Sequence, residues 1–328
     1  MKQTSDTLSP EHGLSRLTTE QQNAASAELD SLSSEEIARV INAEDRNVAE
    51  AVGRALPQIG EAIEAIAAAL YKGGRLIYVG AGTSGRIAAM DAAECPPTFN
   101  TDPKMVQFII AGGVRALGAA AEYNEDSRRA GERDIARKKP TNKDVVVAVA
   151  ASGRTPYTVA ALAYARSRGA KTVAVTCNAG SDLERAAHIA IVAEVGPEVV
   201  SGSTRMKAGS AQKMILNMLS TGAMTRLGYV YGNLMVNVHL TNKKLLERGI
   251  TILQKAAGVD RQAAQAALKK AGNRVPVALV MLRAGVSRSE AANRLKSVHG
   301  NVRRAIEMRT AADNSKFKLR FRTYTGSE

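Results

Sequence analysis

YVGAGTSGR, residues 78–86, and VAVAASGRTP, residues 147–156, repeat one arrangement: a short apolar run, a turn of Gly, Ser and Thr or Arg, then residues that favour a helix. A strand that enters a helix through such a turn aims main-chain N–H groups and the positive end of the helix dipole at one point, which suits a phosphate. Ser84 and Ser152 hold equivalent places in the two turns, and Pro156 suits an early helical position where its missing N–H costs nothing. Neither turn is a Walker A loop, because no Gly-Lys-Ser/Thr follows. GAGTSG also lacks the acidic residue about 20 positions on that a dinucleotide site uses. A tight strand-to-helix connection competes for each turn alone, but the repetition favours a phosphate carried on a small molecule. Ser84, Ser152 and Thr155 are then hydroxyl donors to it.

Outward from these turns, β-branched runs alternate with helical stretches, as in a parallel sheet built of βαβ units. Strands are predicted at 75–80, 105–110, 144–149, 171–176 and 188–192. Helices are predicted near 84–94, 115–136 and 155–168, with a long one from about Met206 to Leu227. Residues 1–30 are polar and aperiodic and read as a loose arm. Ser33 and Glu36 then have capping-box spacing before the apolar stripe of Ile37, Val40 and Ile41. A helical hairpin follows, its second arm at 59–70 and its exit at Gly73 and Gly74. Beyond residue 250 three short amphipathic helices are expected, at 259–270, 274–284 and 287–309; Ala291, Leu295 and Val298 share one face. The predicted organisation is an arm (1–30), an α/β domain with an N-terminal helical hairpin (31–250), a small helical subdomain (251–309) and a basic tail (310–328).

The 328 residues are 45% hydrophobic, enough for a sizeable core, and only 4% aromatic without Trp, which suits helices packed closely on a buried parallel sheet. The N-terminus has no apolar core of signal-peptide length, and no later run approaches the roughly 20 residues that span a bilayer, so a cytoplasmic protein with no membrane partner is expected. Cys95 and Cys177 have no His at metal-ligand spacing and read as reduced, partly buried thiols rather than a zinc site or disulfide. The formal charge of +14 attracts anions. Part of it sits in the tail, where Lys316, Lys318, Arg320 and Arg322 alternate with Phe317, Leu319 and Phe321. A solvated end is the expectation there, and no nucleic-acid partner follows from charge alone.

At the two turns the chain resembles the sugar-isomerase (SIS) domain, a flavodoxin-like parallel sheet with helices on both faces. GRLIYVGAGTSGR, DAAECPPT, DVVVAVAASGRTPY, GPEVVSGSTRMKAGSAQKMILNMLSTGAM and YGNLMVNV more closely resemble the N-acetylmuramic acid 6-phosphate etherase family, as do Thr19, Glu20, Asn23 and Ser26. The resemblance runs over about residues 19–309. It implies a carbon–oxygen lyase that needs no metal or organic cofactor and serves cell-wall recycling. Such an enzyme opens the ring of N-acetylmuramic acid 6-phosphate, removes the C2 proton, expels D-lactate from C3 and adds water, leaving N-acetylglucosamine 6-phosphate. By the same resemblance Glu94, in DAAECPPT, is the acid that protonates departing lactate and Glu125, in NEDS, the base at C2. Pro96 and Pro97 are expected to end the helix beside Glu94, letting it face the cleft mouth. Without the motif each glutamate reads as a solvated carboxylate.

The resemblance further implies a homodimer whose sites are completed across the interface. Ser203, Thr204, Arg205 and Lys207, at a third helix start, are candidates for the phosphate or the lactyl carboxylate, against a surface charge near a dimer contact. His239 lacks partners at metal or triad spacing and reads as packed or interfacial. The chain departs from the family at Ala93, where Ser is usual, at Asn237, where Asp is common, and at Val114, where an acidic or polar residue is frequent. Two other readings use the same loops: a non-catalytic sugar-phosphate sensor, against which both glutamates argue, and a phosphosugar isomerase, which has no need of an acid aimed at a C3 leaving group.

Overall fold

The computed structural model describes residues 17–119, 124–238, 240 and 242–308; His239 and the basic tail 310–328 lie outside them, as do the first sixteen residues of the arm. The chain divides into two compact units, one of residues up to Pro96 with Thr101–Ala223, the other of Pro97–Asn100 with residues from Met224 onward.

In the first unit, α1 (Ser34–Arg54) and α2 (Leu56–Tyr71) form the expected hairpin. Ser33 and Glu36 close the capping box at the start of α1. The sheet follows: β1 (Leu76–Gly80), β2 (Val106–Ile110), β3 (Val145–Val149), β4 (Lys171–Thr176) and β5 (Ile189–Val192), all parallel, in the order β2-β1-β3-β4-β5. Each falls within a residue of its prediction, because strands buried on both faces show as unbroken apolar runs. β1 and β3 are buried at every position, and the edge strands β2 and β5 only in part. Between the strands lie α3 (Gly82–Phe99), α4 (Arg128–Arg137), α5 (Pro156–Ser167) and the short α6 (Asp182–Ala186), and α7 (Lys207–Leu227) follows β5. Ile77, Val79, Val146 and Ala148 pack on Ile135 of α4 and Leu162 of α5 on one face of the sheet. Tyr78, which alternates with them, points to the other face, where its hydroxyl donates to Asp91 of α3 (2.8 Å).

Two helix boundaries expected for this unit fail. The helix predicted over 115–136 is a 3-10 turn at Val114–Leu117 and then α4, which starts only after Ser127 caps it through Ala130 N–H (3.2 Å). Pro96 and Pro97 do not end α3, which runs on to Phe99 and stops where Asn100 turns left-handed (φ 53°). Proline's fixed φ is itself helical, so α3 continues through both, at the cost of the hydrogen bonds to the carbonyls of Ala92 and Ala93 and of crowding against them. The carbonyl of Phe99 is taken up instead by the Asn237 amide (2.7 Å). An aspartate, the common family residue there, has no N–H to donate and would set a negative charge against the negative end of the helix.

Residues 17–31, expected to be loose, form three 3-10 turns sewn to distant backbone: Ser26 Oγ donates to Val199 O (2.7 Å) and Asn23 Nδ2 to Pro197 O (3.2 Å).

Asp91 also accepts from Ser220 Oγ of α7 (3.0 Å) and is only 6% exposed. Burial pushes its carboxyl up to about 6, although the Tyr78 and Ser220 hydroxyls oppose this. An acid that binds its proton more tightly when folded stabilises the fold below its unfolded pKa and loses that advantage as the pH rises through the folded one. A shift of this size is worth roughly 3 kcal/mol. Stability is therefore expected to fall from about pH 4 to above 6, and Asp91→Asn, which cannot ionise, to lack that fall. Thermal melts across this window check it, and parallel wild-type and variant profiles would contradict it.

The second unit holds a two-stranded hairpin, β6 (Val230–Tyr231) and β7 (Leu234–Met235), and five helices among the described residues. These are α8 (Lys243–Ala257), α9 (Arg261–Lys270), α10 (Val275–Ala284), α11 (Arg288–Ser297) and α12 (Val302–Glu307). Leu253, Ala264, Leu279, Ala291 and Val302 meet in its own apolar core. Within the unit α8 opens at Asn242, whose side chain caps Leu245 N–H (2.9 Å). The helix predicted over 287–309 is two, parted at His299 and Gly300, both at positive φ (55° and 87°).

Candidate active site

Strand order 2-1-3-4-5 puts the reversal of winding between β1 and β3, and a crevice forms beyond the carboxyl ends of neighbouring strands at such a point. A cavity of about 410 Å3 lies there, bounded by Ala81–Ser84 after β1 and Val149–Ser152 after β3. Thr155 and Thr204 also reach it. The first turns of α3 and α5 both open here, and their N–H groups have no helical partner of their own. Ser84, buried at 8% exposure, lies in the first turn of α3. Ser152 Oγ accepts from Arg154 N (3.2 Å), which shapes the second loop and leaves the hydroxyl proton available. Thr155, the residue before α5, makes no capping bond with its side chain. The two loops thus bring their hydroxyls and two helix dipoles together, as a phosphate requires.

Glu125 lines the same cavity. Its segment is docked on the first turn of α5 by Tyr157 N–H, which donates to Glu125 O (3.0 Å). The carboxylate lies against Gly82, which is at φ +49°; a Cβ there would stand 2.9 Å from Glu125 Oε1. The positive φ favours glycine at this position, and its missing side chain leaves space beside the Glu125 carboxylate.

The other candidates are placed elsewhere. Glu94 is exposed on α3, ten residues beyond Ser84 and thus about 15 Å further along the helix axis, and it does not line the cavity. Ser203 is half-buried and Arg205 exposed, and neither lines it. Lys207 is 1% exposed; its ammonium is paired with Glu44, which also accepts from Asn23 Nδ2 (2.8 Å). The start of α7 is filled from within the chain: buried Glu198 accepts from Lys207 N and Ala208 N, both at 2.9 Å. Those two N–H groups of the third helix start are thus taken by a side chain of the same chain. Of that group only Thr204 faces the cavity.

Three polar lining residues, Thr83, Arg86 and Glu20, were not among the site residues expected from the sequence. Arg86 follows the first loop and is held by the carbonyls of Ala116 (2.9 Å) and Ala119 (2.8 Å). Glu20 comes from the arm. Its only local signal was membership of the family stretch, since a short aperiodic segment carries no pattern that shows where it docks.

Family models match three parts of the chain: the glucokinase regulatory protein N-terminal SIS domain over residues 58–166, the SIS domain over 129–222 and the C-terminal lid domain of glucokinase regulatory protein over 232–274. The chain is 50% identical over 293 residues to the N-acetylmuramic acid 6-phosphate etherase of Klebsiella aerogenes, covering 89% of this chain and 98% of that one. It is 52% identical over 287 residues to that of Aeromonas hydrophila (88% and 96%) and 47% identical over 294 residues to that of Clostridium beijerinckii (90% and 97%).

Proposed function

Because this chain belongs to the N-acetylmuramic acid 6-phosphate etherase family, we propose that the cleft between its two serine loops binds the 6-phosphate of that sugar, with Glu125 set against C2. The chain is an enzyme, a carbon–oxygen lyase that converts N-acetylmuramic acid 6-phosphate to N-acetylglucosamine 6-phosphate and D-lactate. The observation that carries the site is the Glu125 carboxylate, seated on Gly82 in the cavity that the phosphate loops enclose.

The amide N–H groups opening α3 and α5 hold the phosphoryl oxygens, with the hydroxyls of Ser84, Ser152, Thr155 and Thr204 beside them. Once the ring opens, the aldehyde at C1 acidifies the C2 proton, and Glu125 removes it. The electron pair left on C2 forms the C2–C3 double bond as the C3–O bond breaks, and an acid protonates the departing lactate oxygen. Water gives a proton to that now ionised acid as its hydroxyl adds at C3, and the proton held by Glu125 returns to C2, so one water is consumed for one lactate released.

Glu94 is assigned as that acid, acting in the cleft of a second copy of the chain. On its own chain it stands too far along α3 to share the pocket with Glu125. One feature supports an interface there: Met90, one turn before Glu94, is a large apolar side chain 44% exposed. Among the described residues no helix is long and apolar enough to cross a membrane. Recycling of cell-wall sugars in the cytoplasm is the setting that suits such a reaction.

Release of D-lactate from N-acetylmuramic acid 6-phosphate by the purified protein is the direct test. Stoichiometric D-lactate is expected, and none at any enzyme concentration would overturn the assignment.

A further inference from the structure

Glu20 is a carboxylate inside a cleft built for an anion, and the steps above give it no task. It is not there by loose placement. Thr19 beside it is fully buried, and Asn178 Nδ2 donates to both Thr19 Oγ1 (3.1 Å) and Ala151 O (3.0 Å), tying the turn that carries Glu20 to the second phosphate loop. Thr18 Oγ1 donates back to Asn178 Oδ1 (2.9 Å). On the other side Ser201 Oγ donates to Glu20 O (3.3 Å), and Gly202, at φ +74°, would place a Cβ 3.2 Å from Glu20 Oε2. The carboxylate is therefore backed against a glycine, as Glu125 is against Gly82.

No Lys or Arg among the described residues forms an ion pair with Glu20. A negative charge held near a phosphate raises the energy of the bound anion, so its presence has to be offset by something the ligand offers. A sugar offers neutral hydroxyls, and a charged acceptor takes a hydrogen bond from a hydroxyl more strongly than a neutral one does. The geometry points to Glu20 as the specificity-determining acceptor for hydroxyl groups of the sugar chain. It selects polyhydroxylated phosphosugars over bare phosphate and over phosphate esters that lack hydroxyls. This rests on the reading of the cleft as a phosphosugar site, and it adds a residue that works through binding rather than through proton transfer.

The two ligands that separate this role from a structural one are N-acetylglucosamine 6-phosphate and inorganic phosphate, titrated calorimetrically into full-length wild-type, Glu20→Ala and Glu20→Gln protein. Losing a hydrogen bond to a charged acceptor is expected to weaken the phosphosugar about 10- to 100-fold in Glu20→Ala. Glu20→Gln keeps the shape and one acceptor oxygen and should fall between that variant and wild type. Inorganic phosphate should bind both variants as tightly as wild type or a few-fold tighter, since a repelling charge has gone. Equal weakening of both ligands would mean that Glu20 merely holds the arm in place, and no weakening of the phosphosugar would remove it from recognition; either result overturns the inference. The measurement needs no turnover. A wild type that shows this selectivity but releases no D-lactate defeats the lyase reading alone. One that releases D-lactate while Glu20→Ala binds both ligands like wild type defeats this inference alone.

Discussion

Glu125→Gln is expected to lower kcat by about three to four powers of ten, because it removes the base from the step that makes the C2 carbanion while keeping size and hydrogen-bonding shape. Phosphosugar affinity should hold within a few-fold, since the loops that take the phosphate are untouched. Steady-state D-lactate release beside calorimetric binding separates the two effects. The same variant also tests the shared site. Glu94→Gln protein is expected to be comparably inactive, yet dimers re-formed from an equal mixture of the two variants should recover about a quarter of wild-type activity, because half would be mixed and each mixed dimer would hold one intact site. Recovery no better than the sum of the separate variants would place both glutamates in one subunit's site or remove Glu94 from the reaction.

The pair of Glu44 and Lys207 should give the largest loss of stability. Glu44→Ala leaves an ammonium whose side chain is 2% exposed without its carboxylate, and a buried charge stripped of its partner costs about 3 to 5 kcal/mol. Lys207→Met should cost less. It leaves behind Glu44, which is 18% exposed and keeps the Asn23 amide, and it fills the ammonium's place with an apolar chain of similar length. The Lys207 hydrogen bond holds the Glu44 carboxyl below its usual range. The contribution of the pair is therefore complete above the unfolded glutamate pKa and is lost as the pH falls through the lower folded value. Denaturant melts at pH 7 and pH 4 check both points. A Glu44→Ala protein as stable as wild type would contradict the first, and a cost that does not shrink at pH 4 the second. Lys207→Met should also keep the KM for N-acetylmuramic acid 6-phosphate near wild type, since Lys207 is committed to the interior rather than to the cleft.

The parts of this protein legible in its sequence are those set by interactions between near neighbours in the chain. Fully buried strands appear as runs such as LIYVG and VVVAV, Ser33 and Glu36 meet within one helical turn, and a loop of Gly and Ser between strand and helix exposes its own amides. The five strands, the hairpin, the long α7 and the phosphate turns follow from these local patterns. Glu125 did not follow from them; only the likeness of NEDS to a family motif marked it.

Partners far apart along the chain were decided by tertiary structure. The sequence shows Lys207 beside Thr204 at a helix start and therefore as a plausible anion ligand. It does not show that Glu44, 163 positions away, takes the ammonium, or that Glu198 fills the helix end. The same holds for Glu20, which the contact of Asn178 with Thr19 draws onto the second loop across 159 positions. It holds also for the end of α3, which runs through Pro96 and Pro97 to Phe99, where Asn237, 138 positions away, takes the last carbonyl. Local patterns select the elements because backbone hydrogen bonds and side-chain periodicity act over a few residues. Burial of a charge depends on which elements pack together, and no segment contains that information by itself.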